Sequence, residues 1–405
     1  MTATLSGCGG DGGSGDVTLK LVAADYGTGE ANKSDKYWDG IAKGFEASHP
    51  GIKVDVSVLP WTDIDREVAE MVKAGKAPDI AQIGAYADYA KAGKLYSADQ
   101  MLSIRTQANF LPVLADAGRV SQVQYGLPFV ASTRLLFYNK KLFSQAGLDA
   151  PQTWSDIASD AAALKQHGVK VPFALPLGQE ESQAETLMWL LSGGGGYTDD
   201  VGSYNIDSAE NIKTFNWLKT NLVDKKLVGP VAPGKLNRAK AFADFTSGDV
   251  GMLNGHPTLM QEAEKKGVDV GMVPLPGISG PTDGSMGVAD WIMGFKQNDH
   301  RTQIGKFFDY MFSDKNVIDF ADTYDLLPVT DSASASMETD PKYKSLRKFL
   351  SALPNAEFYP VAKTSWAQTS ESIKKNIGEA VEPGANPESV LERISQDATT
   401  AESAE

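Results

Sequence analysis

The chain has 405 residues, 42% of them hydrophobic, which is enough to bury substantial cores and argues for two lobes rather than one. Lys and Arg total 38 against 52 Asp and Glu, a formal charge of −14, so the body repels phosphate backbones and argues against nucleic acid or anionic lipid as a partner. No run of eighteen apolar residues offers a membrane span, and the single cysteine, Cys8, allows no intrachain disulfide. In chain order, residues 9–16 (Gly-Gly-Asp-Gly-Gly-Ser-Gly-Asp) read as a flexible tether that cannot pack a core. Val17, Leu19, Leu21 and Ala23 then alternate as one face of a strand. Trp38, Ile41, Ala42 and Phe45 recur at helical spacing, and Val54, Val56 and Val58 alternate with polar residues as a second strand. Thr62 is expected to cap a helix carrying Ile64, Val68, Met71 and Val72, ended by Gly75 and Pro78, before a short strand over 79–83. This βαβ rhythm predicts a mostly parallel sheet with helices on both faces.

Residues 135–138 read as a buried strand. Leu142, Phe143 and Ala146 share a helical face, with Gly147 where a C-cap belongs. Thr153 with Asp156 three residues on predicts a capping box. A helix-rich stretch follows to about 246, interrupted by four glycines at 193–196, then strands at 250–253 and 270–276. The C-terminal third is expected to be helical, with 324–329 as an extended crossing and a polar, frayed tail from Thr399.

The run over 136–148 (Leu-Phe-Tyr-Asn-Lys-Lys-Leu-Phe-Ser-Gln-Ala-Gly-Leu), followed by Pro-Gln-Thr-Trp-Ser-Asp-Ile over 151–157, resembles a segment of extracellular solute-binding proteins of bacterial carbohydrate ABC importers. Residues 271–276 and 242–252 resemble two further segments of that family, so the resemblance covers essentially everything after the tether. It implies an α/β, two-lobed periplasmic-binding-protein-like fold of type II with the ligand cleft between the lobes. Crossings between lobes would fall at 128–134, 285–290 and 327–331. The implied division is 1–16 signal remnant and tether, 17–129 with 289–328 lobe one, and 130–288 with 329–405 lobe two.

Leu5-Ser-Gly-Cys8 resembles a lipobox, which makes Cys8 the expected lipidation site and places the protein at the outer face of the cytoplasmic membrane, held only by its lipid. Residues 1–4 are too short for a charged region plus an apolar region, so the signal peptide is expected to be incomplete in this sequence.

Enzyme signatures are missing: His49, His167, His256 and His300 are far apart, and there is no Cys-x-x-Cys, Gly-x-Ser-x-Gly or Walker loop. The glycines at 10, 12 and 15 match a dinucleotide fingerprint in letters alone, because they precede the first strand instead of following one. A neutral sugar needs flat aromatic faces for its C–H faces and planar polar groups for its hydroxyls, since a buried unpaired hydroxyl costs about 1–3 kcal/mol. Loops at strand ends supply both: Asp25 and Tyr26 after the first strand, Trp61 after the second, Gln82 and Tyr86 around the third. Arg134 lies in a crossing, Glu180 and Glu181 open a helix, His256 follows a strand, Asp290 and Trp291 lie near the second crossing, and Trp366 follows Tyr359 and Pro360. Trp38, Trp154, Trp189 and Trp217 read as core.

The expected function is capture of a disaccharide or short oligosaccharide by hinge closure and delivery to the transmembrane subunits of an ABC permease, as a monomer without cofactor, metal or catalysis. Two alternatives stay open. One is a glycan-cleaving enzyme using Glu180 or Glu181 with Asp290, which in retaining form needs carboxyls about 5–5.5 Å apart. The other is the same fold carrying a polyol, glycerophosphodiester or peptide.

Overall fold

Alternating apolar residues build β1 (Val17–Ala24) and β2 (Ile52–Leu59), paired in parallel with Leu19 opposite Val54 and Leu21 opposite Val56. The helix between them, Ser34–Ser48, turns Trp38, Ile41, Ala42 and Phe45 inward. Strand β3 (Ile80–Gln82) lies parallel to β1 on its other side. A small hairpin, β4 (Arg119–Val120) and β5 (Val123–Gln124), precedes β6 (Leu127–Thr133), which runs almost directly into β7 (Leu135–Asn139). The remaining strands are β8 (Val171–Phe173), β9 (Val250–Gly255), β10 (Val270–Val273), β11 (Ser285–Gly294) and β12 (Ala356–Glu357). The computed structural model describes residues 16–27, 32–282 and 285–403; Cys8 and nearly all of the glycine tether lie outside them.

Two sheets result. The first has the order β12-β11-β3-β1-β2, with β6 also paired to β11; the second has the order β10-β7-β9-β8. Each is covered by helices, giving a two-lobed α/β fold. The first core gathers Trp38, Phe45, Phe129 and Phe307, with the Trp38 and Phe129 rings stacked 5.4 Å apart. The second is built on Trp154, Trp189, Phe173 and Phe215, with Trp217 packed 4.8 Å from Trp154.

Three chain segments are laced together where the sheets meet. Strand β6 pairs antiparallel with β11, Ala131 opposite Ala289, with a register shift between Asp290 and Trp291. On its other side Ala131 exchanges two backbone hydrogen bonds with Leu327, at 3.1 and 2.7 Å. Because β1, β2 and β3 are parallel, their C-terminal ends open on one side. Strand β11 runs antiparallel to β3, so its first half, up to Asp290, projects beyond that end. In the second sheet the start of β7 pairs with the end of β9, Leu135 opposite Gly255, and β8 runs parallel to β9. The start of β7 and the ends of β8 and β9 therefore face the laced segments.

Local chemistry follows the sequence with four departures. Asn139 caps helix Lys140–Ala146 by accepting from the Leu142 N–H, and Gly147 ends it at φ +67°, a left-handed conformation that L side chains resist. Thr153 accepts from the Asp156 N–H, but the Asp156 carboxylate bonds the Gln152 N–H one residue earlier than a capping box requires. Asp63, not Thr62, sits at the cap of helix Ile64–Lys73, without a side-chain bond. Strand β10 stops at Val273, because Pro274 and Pro276 cannot donate to a ladder. The tail is not frayed at Thr399: helix Pro387–Ser403 continues to Ser403 with Ala398 and Ala401 buried and Glu402 paired to Lys363.

Candidate functional site

The ends of β1, β2 and β3 deliver a hydrogen-bonded chain to the base of the cleft. Gln82, fully buried, accepts from the Ala24 N–H (3.0 Å) and donates Nε2 to the Tyr26 hydroxyl at 2.5 Å. Tyr26 donates in turn to Asp290 Oδ2 at 2.8 Å. Burial pushes the Asp290 carboxyl up to about 6, against the pull of that hydroxyl. Burial and the neighbouring carboxylate hold the Tyr26 phenol well above its ordinary range. Asp25 is spent on its own loop, accepting from the N–H groups of Gly27 (2.9 Å) and Ser34 (3.3 Å). These donors outweigh the effect of burial and lower its carboxyl. Trp61 stands edge-on to Tyr26 at 5.4 Å and is 41% exposed. Tyr86 is buried, its ring lying where any side chain on Gly126 would go, with its hydroxyl unpartnered among the described residues.

The facing end of the second sheet carries ions. Glu181 accepts from the guanidinium group of Arg134, which is buried, and is ion-paired with Arg238. Glu180 takes Arg238 Nη2 at 2.8 Å and the Ala239 N–H at 3.0 Å, so it sits at the N-terminus of helix Arg238–Thr246, where a carboxylate is favoured. The His256 ring lies 5.0 Å from Phe242 and 3.5 Å from Arg238. Burial, reinforced by Arg134 and Arg238, holds its pKa well below the usual histidine range. Beneath them, Glu185 accepts from Trp189 Nε1 and Asn254 Nδ2, both at 2.9 Å; burial pushes its carboxyl up to about 7 despite these donors.

Beside Asp290 lies a cavity of about 400 Å³, with the ionic cluster outside its lining. Asp65 and the 84–88 loop line it from the first lobe, Asp290 and Trp291 from β11, and Tyr359, Lys363, Trp366 and Lys374 from the C-terminal segment. The Asp65 carboxylate fixes the loop by accepting from the Gly84 N–H at 3.0 Å. Trp366 stacks on Tyr359 at 5.2 Å and 26° and lies 5.4 Å from Tyr197, giving a rigid aromatic wall. A larger depression of about 630 Å³ around Arg105, Asn109 and Asp314 is a weaker candidate. Its polar side chains are largely bonded to one another, as Asn109 and Asp314 are to Ser332.

The structure thus brings Asp290, Trp291 and Trp366 into one cavity, links Tyr26 and Gln82 to it through Asp290, and gathers Arg134, Glu180, Glu181 and His256 in one cluster. Trp61 stands against Tyr26, while Asp25 and Tyr86 serve loop and core. Sequence reasoning did not single out Arg238, Glu185, Asp65, Lys363 or Tyr359. Only Tyr359 carried a signal, an aromatic beside Pro360 ahead of Trp366. Among the described residues no group of three or more His, Cys, Asp or Glu could hold a metal, and no helix is long and apolar enough to cross a membrane.

The lobes, the laced crossing and the cleft define a periplasmic-binding-protein-like architecture. Residues 29–318 match the family model of the bacterial extracellular solute-binding protein, and the chain belongs to that family. A Brucella abortus (strain 2308) protein named only as a binding protein is 26% identical over 385 residues, covering 92% of this chain and 90% of that one. The sn-glycerol-3-phosphate-binding periplasmic protein UgpB of Escherichia coli (strain K12) is 27% identical, covering 73% and 71%. Among solved structures, the GacH receptor of Streptomyces glaucescens superposes with a TM-score of 0.78 at 21% identity, covering 96% of this chain and 99% of that one. The cyclic alpha-maltosyl-1,6-maltose binding protein of Arthrobacter globiformis gives 0.81 at 16%, covering 96% and 100%.

Proposed function

We propose that this protein captures a carbohydrate, a disaccharide or short oligosaccharide, outside the cell and delivers it to the permease of an ABC importer. The observation that carries the reading is the cleft itself. The stacked Trp366 and Tyr359 rings offer faces for C–H surfaces, while Asp65, Asp88 and Asp290 offer acceptors for hydroxyls in the same cavity. Relatives point the same way: the GacH receptor was solved with acarbose, and the Arthrobacter protein is named for a cyclic maltosyl-maltose. UgpB is named for a phosphorylated polyol, but charge disfavours that cargo here. Asp65, Asp88, Asp290 and Glu371 line the cleft against only Lys363 and Lys374.

In this reading lobe one is 17–129 with 289–328 and lobe two is 130–288 with 329–405. The laced segments at Ala131, Ala289 and Leu327 support that division by acting as its hinge. Ligand touches both lobes only when they close, so it stabilises the closed state by that differential affinity. The protein acts as a monomer, held by a lipid on Cys8, and releases its sugar uncleaved.

A thermal-shift screen of malto-, cello-, xylo-, chito- and trehalose-type saccharides, with sn-glycerol-3-phosphate alongside, tests this. A cognate sugar at 100 times its Kd adds about 2.7 kcal/mol of stability. Chromatography of the bound sugar after long incubation should return it intact. A shift with the phosphate ester and none with any sugar would overturn the carbohydrate reading; hydrolysis products would overturn the non-enzymatic one.

A further inference from the structure

We propose that the cleft continues into a second carbohydrate subsite on the outer face of helix Trp366–Asn376, so that the cargo is an oligosaccharide of three or more units. The inference rests on the carbohydrate reading above.

Helical periodicity divides that helix between two cavities. Trp366, Ser370, Glu371 and Lys374 face the cleft, whereas Gln368, Ser372, Lys375 and Asn376 face a groove of about 500 Å³. Glu371 and Lys374 line both, and their ion pair at 2.7 Å forms the low ridge between them. Gln179, from the loop that also carries Glu180 and Glu181, is the opposite wall. The floor is fixed by Ser372 donating to Asp397 at 2.6 Å and Asn376 donating to Ser372 at 3.2 Å.

The shared Glu371 and Lys374 make this groove a continuation of the cleft, and two properties suit it to sugar hydroxyls. Every side chain lining it ends in a polar group that can meet a hydroxyl, while the aliphatic stems of Gln368, Lys374 and Lys375 leave apolar surface between those groups. The side-chain amides of Gln179 and Gln368 also have no hydrogen-bond partner among the described residues, although they border a floor whose polar groups are bonded to one another. A planar amide offers two donors and two acceptor sites, a match for hydroxyls on neighbouring ring carbons. The cleft alone, at about 400 Å³, lies near the small end of the range for pockets that enclose a small ligand, roughly 300–1,000 Å³. The first units would stack on Trp366 inside it, and the next would cross the ridge and hydrogen-bond to the glutamines.

Isothermal titration of the full chain with di-, tri- and tetrasaccharides of the malto-, cello-, xylo- and chito-series tests this, on the wild type and on Gln179→Ala/Gln368→Ala. The expected result is a gain of about tenfold in affinity from two to four units that the double variant loses. Its disaccharide Kd should stay within about twofold of wild type and its melting temperature should not move, because both glutamines are exposed. Equal affinity along every series, or a gain that survives the double substitution, overturns the subsite and leaves the carbohydrate reading standing. Binding of no saccharide overturns both.

Discussion

The two lobes approach the cleft with different chemistry. From the first, the polar chain Gln82–Tyr26–Asp290 is made of an amide, a phenol and a carboxyl that burial brings close to protonation. From the second, Arg134, Arg238, Glu180 and Glu181 form an ion-paired cluster, two guanidinium groups against two carboxylates. A buried ion is tolerable only while its partner stays in place. The ionic side is therefore a fixed frame, while the first-lobe side can exchange a hydrogen bond for a ligand hydroxyl at little cost.

The sharpest way to break this contrast is Glu181→Ala, which leaves the buried Arg134 guanidinium without its carboxylate. A loss of about 3 kcal/mol in denaturant-induced unfolding is expected; an unchanged midpoint would remove the frame. The pH dependence separates the lobes further. Glu185 keeps its proton up to about 7 in the folded state, whereas the unfolded carboxyl releases it near 4.3, so the folded state binds more protons between those values. Its stabilising contribution is complete below that lower value and is lost as pH rises through about 7. Asp290 behaves likewise up to about 6. Each contributes a fall in stability as pH rises, so Glu185→Gln should flatten the melting-temperature profile between about pH 4 and 7 and Asp290→Asn between about pH 4 and 6, each by about 3 kcal/mol. The smallest structural effect belongs to Trp61→Ala: its ring is 41% exposed, so unfolding should shift by less than about 0.5 kcal/mol. Sugar affinity, measured by titration, should nonetheless weaken by about 1–3 kcal/mol if the ring stacks on ligand.

Periodicity made β1, β2 and the helix Ser34–Ser48 legible, since alternation and helical spacing are local properties. Gly147 was legible as a stop because only its backbone mattered. Strand β8 was hidden inside a helix-rich stretch, as three residues are too few to display a period. The site divides similarly. Strand ends could be located, so Tyr26, Trp61 and Gln82 could be named as candidates, and the structure joins Tyr26 and Gln82 by a hydrogen bond and sets Trp61 against Tyr26. Arg238 was not, because its meaning lies in Glu180, 58 positions away. Asp25 and Tyr86 have suitable chemistry for a ligand, but neighbours that sequence cannot reveal, the Ser34 loop and Gly126, engage them first.

The lacing at Ala131 has a mechanical consequence. With Ala289 on one side and Leu327 on the other, the three crossings form one narrow ribbon of backbone hydrogen bonds. Sliding one strand along another would break the whole ladder at once, whereas twisting or bending the ribbon strains each bond only slightly. In the proposed hinge such a ribbon favours rotation of the lobes over shear. The uneven register between Asp290 and Trp291 is where that proposed rotation would bend the ladder most readily. Those two residues also line the cavity, so a bend at that point would reshape the cleft directly.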